Sequence, residues 1–231
     1  SAFCCGSVAL VILTILTSCT NSASQKGEHE ISLSELSKKI DDPGLKLYTL
    51  LQEYAKDTSN HQVLEEVGSI YYQLNRYKES FQVSRMILKK RPQNAFALRL
   101  QAGILEKTGQ TDEAIIAYQK LFVVEAELND YYQLAALYFK NQNFKSAQHY
   151  VSKILETEVD LNQQVLISFD QDGQVTSQMV PIHAAAFNML GFLALNTKQY
   201  DQAEKMYNTA LKIYPDFSLA KGNLLYLEGV R

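Results

Sequence analysis

Cysteine, histidine and paired carboxylates are the side chains here with the most chemical potential, and their spacing limits what they can do. All three cysteines, Cys4, Cys5 and Cys19, stand at the start of the 231-residue chain, and the rest has none. That excludes a disulfide framework for the folded body and a CxxC metal or redox site within it. The four histidines, His29, His61, His149 and His183, are scattered, and His29-Glu30 lacks the second His of an HExxH site. There is no Gly-rich phosphate loop and no GxSxG elbow. Asp170-x-Asp172-Gly173 has a calcium-like start, but Gln174–Met179 supply neither enough oxygen ligands nor a closing Glu, so it reads as a turn. No catalytic residues, metal or cofactor are expected. Basic and acidic residues number 22 and 25, for a net charge of −3, so bulk charge gives no reason to expect nucleic acid. With 46% hydrophobic and 20% charged residues, the composition is that of a globular protein.

Cys19 is the one cysteine with an informative setting. The run Val8–Leu16 is apolar apart from Thr14. It has the length of a signal-peptide core and falls short of the ~20 residues a spanning helix needs. No charge precedes Lys26 and no initiator Met is present, so the chain reads as clipped at its start. Leu16-Thr17-Ser18-Cys19 resembles the lipobox of bacterial lipoproteins: an aliphatic residue, two small residues, then Cys. That resemblance implies a signal peptide over 1–18, cleavage before Cys19 and acylation of its thiol with palmitate-like chains. Two or three acyl chains anchor a protein stably where one is marginal. Residues 19–30, rich in Ser, Asn and Thr, then form a flexible tether. Thr20, rather than Asp, follows Cys19. In enteric lipoproteins an Asp there signals retention in the inner membrane, so the resemblance implies the outer membrane of a Gram-negative bacterium, at its periplasmic face or the cell surface.

Small residues organise the rest. Gly68, Ala102, Ala135 and Gly191 are each followed twelve positions later by another small residue: Ser80, Ala114, Ala147 and Ala203. Turn-like segments beginning at Asn75, Gly109, Gln142 and Lys198 precede the second member of each pair, and Pro92 and Pro215 follow in phase. This pattern resembles the tetratricopeptide repeat (TPR), over 61–94, 95–127, 128–161 and 184–217. It implies an all-α, right-handed solenoid of helical hairpins, in which small residues let paired axes approach and each unit buries its apolar stripe on the next. Three units fill 61–161 and the fourth fills 184–217.

The flanks are read from capping signals. Residues 31–60 form a divergent helical hairpin. Ser32-x-x-Glu35 is a capping box, and Asp42-Pro43 starts a second helix with Leu47, Leu50, Leu51 and Tyr54 on one face. Residues 218–231 form a C-terminal capping helix with Ala220, Leu224 and Leu227 inward. Between the third and fourth units, 162–183 breaks the period. Its β-prone runs around Gly173 predict a β-hairpin over 162–182, with a three-residue loop that pairs Phe169 with Val175 and Val165 with Met179. As an insertion between complete repeats, it is expected to be separable from the solenoid.

In the TPR family the first helix of each unit lines a concave groove. The resemblance places Tyr72, Phe96, Arg99, Glu106, Lys107, Asn129, Tyr132, Phe139, Lys140, Asn188, Phe192 and Asn196 on that surface. An aromatic groove with a few amides and charges suits a peptide or a protein segment. Tyr71 and Tyr138 fall on packed positions. The expected function is that of a membrane-anchored, non-enzymatic scaffold binding another protein in the bacterial envelope. Its alternatives are an assembly lipoprotein for outer-membrane β-barrels or pilus secretins, and a glycan-binding surface lipoprotein.

Overall fold

The computed structural model describes residues 38–171 and 173–230. Helix α1 (Pro43–Lys56) leads into three helix pairs: α2 (His61–Gln73) with α3 (Tyr77–Lys90), α4 (Ala95–Lys107) with α5 (Thr111–Val124), and α6 (Leu128–Lys140) with α7 (Phe144–Leu155). Strands β1 (Gln164–Gln171) and β2 (Gln174–Pro181) follow. A fourth pair, α8 (Ile182–Asn196) with α9 (Tyr200–Ile213), and a last helix, α10 (Ser218–Val230), complete the order. The result is an all-α solenoid of TPR-like hairpins carrying one antiparallel β-hairpin. Cys19 and the expected cap at Ser32–Glu35 lie outside the described residues.

Local chemistry starts and stops these helices. Asp42, Asn60, Asn94 and Asn143 cap α1, α2, α4 and α7, their side chains accepting from the backbone N–H three residues on. Within every pair the turn uses one left-handed residue: Asn75, Gly109, Gln142 and Lys198, with φ of 58°, 76°, 57° and 59°. The next N–H then reaches a carbonyl five residues back. Arg76 N donates to Tyr71 O at 2.8 Å, and Gln110, Asn143 and Gln199 donate likewise to Leu105, Tyr138 and Ala194 at 2.9 Å. This closure is the same four times over, and it satisfies carbonyls that the helix end would orphan.

The small residues sit where helices touch. Ser80 Oγ donates to Gly68 O at 2.8 Å, joining α2 to α3 in a buried position. At Gly191 an added Cβ would lie 2.5 Å from the Tyr207 ring, and Tyr207 is itself fully buried. Toward the chain start, Leu47, Leu50, Val63, Val67, Val83 and Ile87 form one cluster. Leu51, expected on the packed face of α1, is instead 39% exposed.

The hairpin departs from expectation in two ways. Gln171 pairs with Gln174, so the loop has two residues rather than three. Phe169 consequently faces Thr176, and Val165 faces Val180. A slip of one residue turns a whole strand over. Val175 and Met179, expected inside, are 79% and 50% exposed. Gly173 does take the left-handed φ, 81°. Nor does the hairpin stand apart: Val165, Ile167 and Val180 are buried in one cluster with Tyr132, Val151, Ile154, Ala184–Ala186 and Phe217. Gln178 also bridges to the α9–α10 loop, donating to Asp216 O at 2.6 Å and accepting from Ser218 N at 3.1 Å. The insertion is part of the core.

Candidate peptide-binding groove

Three of the twelve expected groove residues meet at one cavity. Tyr72 from α2 and Phe96 and Arg99 from α4 line it, together with Leu100, Gly103, Tyr118 and Asp130. Its volume is about 280 Å³, near the lower end of small-ligand sites. Gly103 forms part of the wall because it has no side chain. A Cβ there would lie 3.4 Å from the Tyr72 hydroxyl. The Tyr72 ring is held edge-on by Tyr77 at 5.5 Å. Removal from water, with the nearby Glu106 carboxylate adding to it, pushes the Tyr72 phenol up to about 12, so it stays a neutral donor at physiological pH.

Arg99 is held by its neighbours rather than free in the groove as a solvated charge. Its Nε and Nη2 donate to both oxygens of Asp130 at 2.9–3.2 Å, and Nη2 also reaches Glu127 at 3.0 Å. The Asp130 side chain is only 4% exposed and accepts from the Glu127 backbone N–H at 2.9 Å, closing the first turn of α6. The bidentate fork therefore joins α4 to α6 and fixes the plane of the guanidinium. Nη1 makes no hydrogen bond among the described residues. Sequence reading missed Asp130, although an acidic side chain three residues into a helix start is a capping-box signal.

Glu106 and Lys107 lie further along α4. Burial raises the Glu106 carboxyl above its ordinary value, opposed by the charges of Lys107 and Lys140 and by the Tyr118 hydroxyl, a weak donor at 3.4 Å. Lys107, Lys140 and Asn129 are exposed. A second aromatic group forms where α6 meets α8. Phe139 lies 5.2 Å from Phe192 and 5.5 Å from Phe144. Asn196 donates to the Phe192 carbonyl at 2.8 Å, so its amide is partly spent within its own helix.

Two expected groove residues are almost wholly buried. Tyr132 is 9% exposed and belongs to the same cluster as the hairpin's Val165, Ile167 and Val180. Asn188 is 5% exposed, and its side chain accepts from Asn223 of α10 at 2.9 Å. Both are corrected from ligand-facing to structural: the core that includes the hairpin takes in one, and α10 covers the other. His183 is likewise structural. It is 1% exposed, with Nε2 3.1 Å from Thr157 O. Among the described residues no group of three or more His, Cys, Asp or Glu could hold a metal ion, and no helix is long and apolar enough to cross a membrane.

Comparison with known proteins agrees with this geometry. A family model described as tetratricopeptide repeat matches residues 184–217. A human protein, the protein O-mannosyl-transferase TMTC1, is 25% identical over 72% of this chain, which spans only 21% of that protein's length. Among solved structures, a tetratricopeptide repeat protein from Parabacteroides merdae superposes with a TM-score of 0.66 at 19% identity, over 84% of this chain and 70% of that one. YrrB, described as a TPR protein with an unusual peptide-binding site, superposes with a TM-score of 0.61 at 19% identity, over 83% and 88% of the two chains.

Proposed function

We propose, with the tetratricopeptide-repeat fold as premise, that this chain is a scaffold holding a peptide segment of another protein in its concave groove, anchored to the bacterial envelope by lipid on Cys19. The observation that carries the binding reading is the cavity between Tyr72, Phe96 and Tyr118, with the locked Arg99 in its wall. Its apolar walls suit one bulky apolar side chain. The unused Nη1 of Arg99 suits an adjacent peptide carbonyl or carboxylate. Preorganisation by Asp130 lowers the entropy lost when that contact forms. Phe139 and Phe192 extend the aromatic surface toward α8, and Lys107, Lys140 and Asn129 supply polar contacts along its rim. YrrB's described peptide site supports the reading by fold likeness.

The test is capture of envelope proteins by crosslinking, followed by affinity measurement with peptides from whichever protein is captured. Phe96→Ala is expected to weaken binding by about 30-fold, the effect of removing an aromatic anchor worth about 2 kcal/mol. Gly103→Leu should fill the cavity and weaken binding similarly while leaving the helical signal unchanged. Normal binding by both variants would move the site off this surface. For the anchor, Cys19→Ser in the protein expressed in a Gram-negative host should abolish palmitate labelling and membrane retention. Equal labelling of variant and wild type would refute acylation at Cys19.

A further inference from the structure

The β-hairpin carries an interaction surface independent of the groove. Among the described residues its sheet has two strands, so each strand has an edge with no described strand beside it. The two-residue loop makes Gln171–Gln174 the hydrogen-bonded closing pair, and hydrogen-bonded and open pairs then alternate down the ladder. The bond from Ile182 N to Gln163 O at 2.7 Å has the parity this count requires. On β2, Val175, Ser177 and Met179 therefore point their N–H and C=O groups away from β1. Their side chains share the outer face and are all exposed.

Proteins normally protect such edges with lysine or other charges, bulges or proline. From Gln174 to Pro181 there is no charged residue, the pairing has no bulge, and the only proline is the last residue. The β1 edge differs. It carries Asp170, which lines a cavity beside Ser218, Leu219 and Lys221 of α10.

We infer that β2 pairs with β2 of a second copy of this chain, antiparallel about a two-fold axis through Ser177, to give a four-stranded sheet across the dimer. The sequence is self-complementary in that register. Ser177 faces Ser177, and Val175 faces Met179 of the second copy in two equivalent places. All three pairs are of the hydrogen-bonded kind. Pro181, which lacks an N–H, falls opposite Gly173, where the ladder ends. The equivalent β1 pairing would set Asp170 against Leu166, which is the poorer match.

Sedimentation of the full chain in mild detergent tests this, with circular dichroism as the folding control. Wild type should be a dimer. The pair Val175→Lys with Met179→Lys puts like charges opposite each other twice and should weaken the dimer about 100-fold or more. The pair Val175→Lys with Met179→Glu puts opposite charges in the same places and should restore the dimer to within about tenfold, in a salt-dependent way. Both sites are exposed, so helicity should not change. A monomeric wild type overturns the inference. So does a dimer indifferent to the two lysines, or one that the lysine–glutamate pair fails to restore. A monomeric wild type whose lysine variant releases some other protein would assign the edge to a foreign strand, and self-pairing would be equally refuted.

Discussion

The first two helix pairs and the fourth occupy equivalent places in the repeat yet do opposite things with their inner surface. At α2 and α4 that surface opens into a cavity between Tyr72 and Phe96. At α8 it is largely sealed: Asn188 is tied to α10 and Ala184–Ala186 are buried with the hairpin. Within the repeats of the described residues, the period breaks directly before the sealed pair, at the hairpin. A TPR unit normally buries its stripe on the next unit. Here the hairpin supplies part of that burial, and some family groove positions become core. What stays open is the cavity lined from α2, α4, α5 and α6, with the Phe139–Phe192 contact between α6 and α8 beyond it.

The largest effect that distinguishes the two ends should come from removing the hairpin. Replacing residues 165–180 with a Gly/Ser linker strips Val165, Ile167 and Val180 from the core, each worth about 1.5–3 kcal/mol when fully buried. Together these losses rival the whole stability of an ordinary domain. A thermal melt should lose cooperativity or fall steeply, beginning with α8–α10. A melt that stays near the wild-type midpoint would restore the insertion to the status of an appendage. The matching truncation at the other end, Phe96→Ala, removes a half-buried cavity wall and should shift the melt far less.

A smaller contrast lies in two glycines at one repeat position. A Cβ on Gly68 would sit 3.0 Å from Leu100 Cδ2 and 3.2 Å from Val83 Cγ1, both side-chain methyl groups. Those groups can yield, and alanine gains about 1 kcal/mol over glycine inside a helix, so Gly68→Ala should be near neutral. A Cβ on Gly191 would sit 2.5 Å from a rigid, fully buried tyrosine ring. Overpacking of that kind costs about 1–3 kcal/mol or more. Gly191→Ala should therefore lower the denaturation midpoint clearly, and equal effects from the two variants would show that Tyr207 has room to move.

The same residues show what sequence could and could not reveal. Small residues twelve apart encode helix contacts, because backbone approach needs a missing side chain at fixed places on both helices. The hairpin followed from its β-prone runs, and the family positions of Tyr72, Phe96 and Arg99 fall on three residues that line one cavity. The strand register did not follow, because an apolar alternation fits either face until the loop length is known. Leu166 and Val175 are as β-prone as Val165 and Val180, yet they point outward. The Arg99–Asp130 fork spans 31 positions, and nothing local in the chain announces it. Tyr132 and Asn188 stand at family groove positions. Their burial depends on the core beneath the hairpin and on α10, which are particular to this chain.

The finest contrast is in the turns, where the repeats share one backbone geometry with different residues. The left-handed residue is Asn75 in the first pair, Gly109 in the second, Gln142 in the third and Lys198 in the fourth. A side chain with a Cβ is strained there by about 1–2 kcal/mol, least for Asn, whose short amide tolerates this region. Glycine removes the strain but adds freedom to the unfolded chain, which returns part of the gain. Gln142→Gly and Lys198→Gly should each stabilise by about 0.5–1 kcal/mol. Asn75→Gly should give a few tenths at most. None of the three side chains is buried, and Asn75→Gly also loses the bond its Oδ1 accepts from the Tyr77 hydroxyl at 2.7 Å, so chemical denaturation of the three single variants should rank it last. If Gln142→Gly and Lys198→Gly gain no more than Asn75→Gly, strain in the turn does not differ between the ends. If only Lys198→Gly gains, the sealed end of the molecule sets the unfolding midpoint, because a turn contributes fully only within the unit that unfolds first.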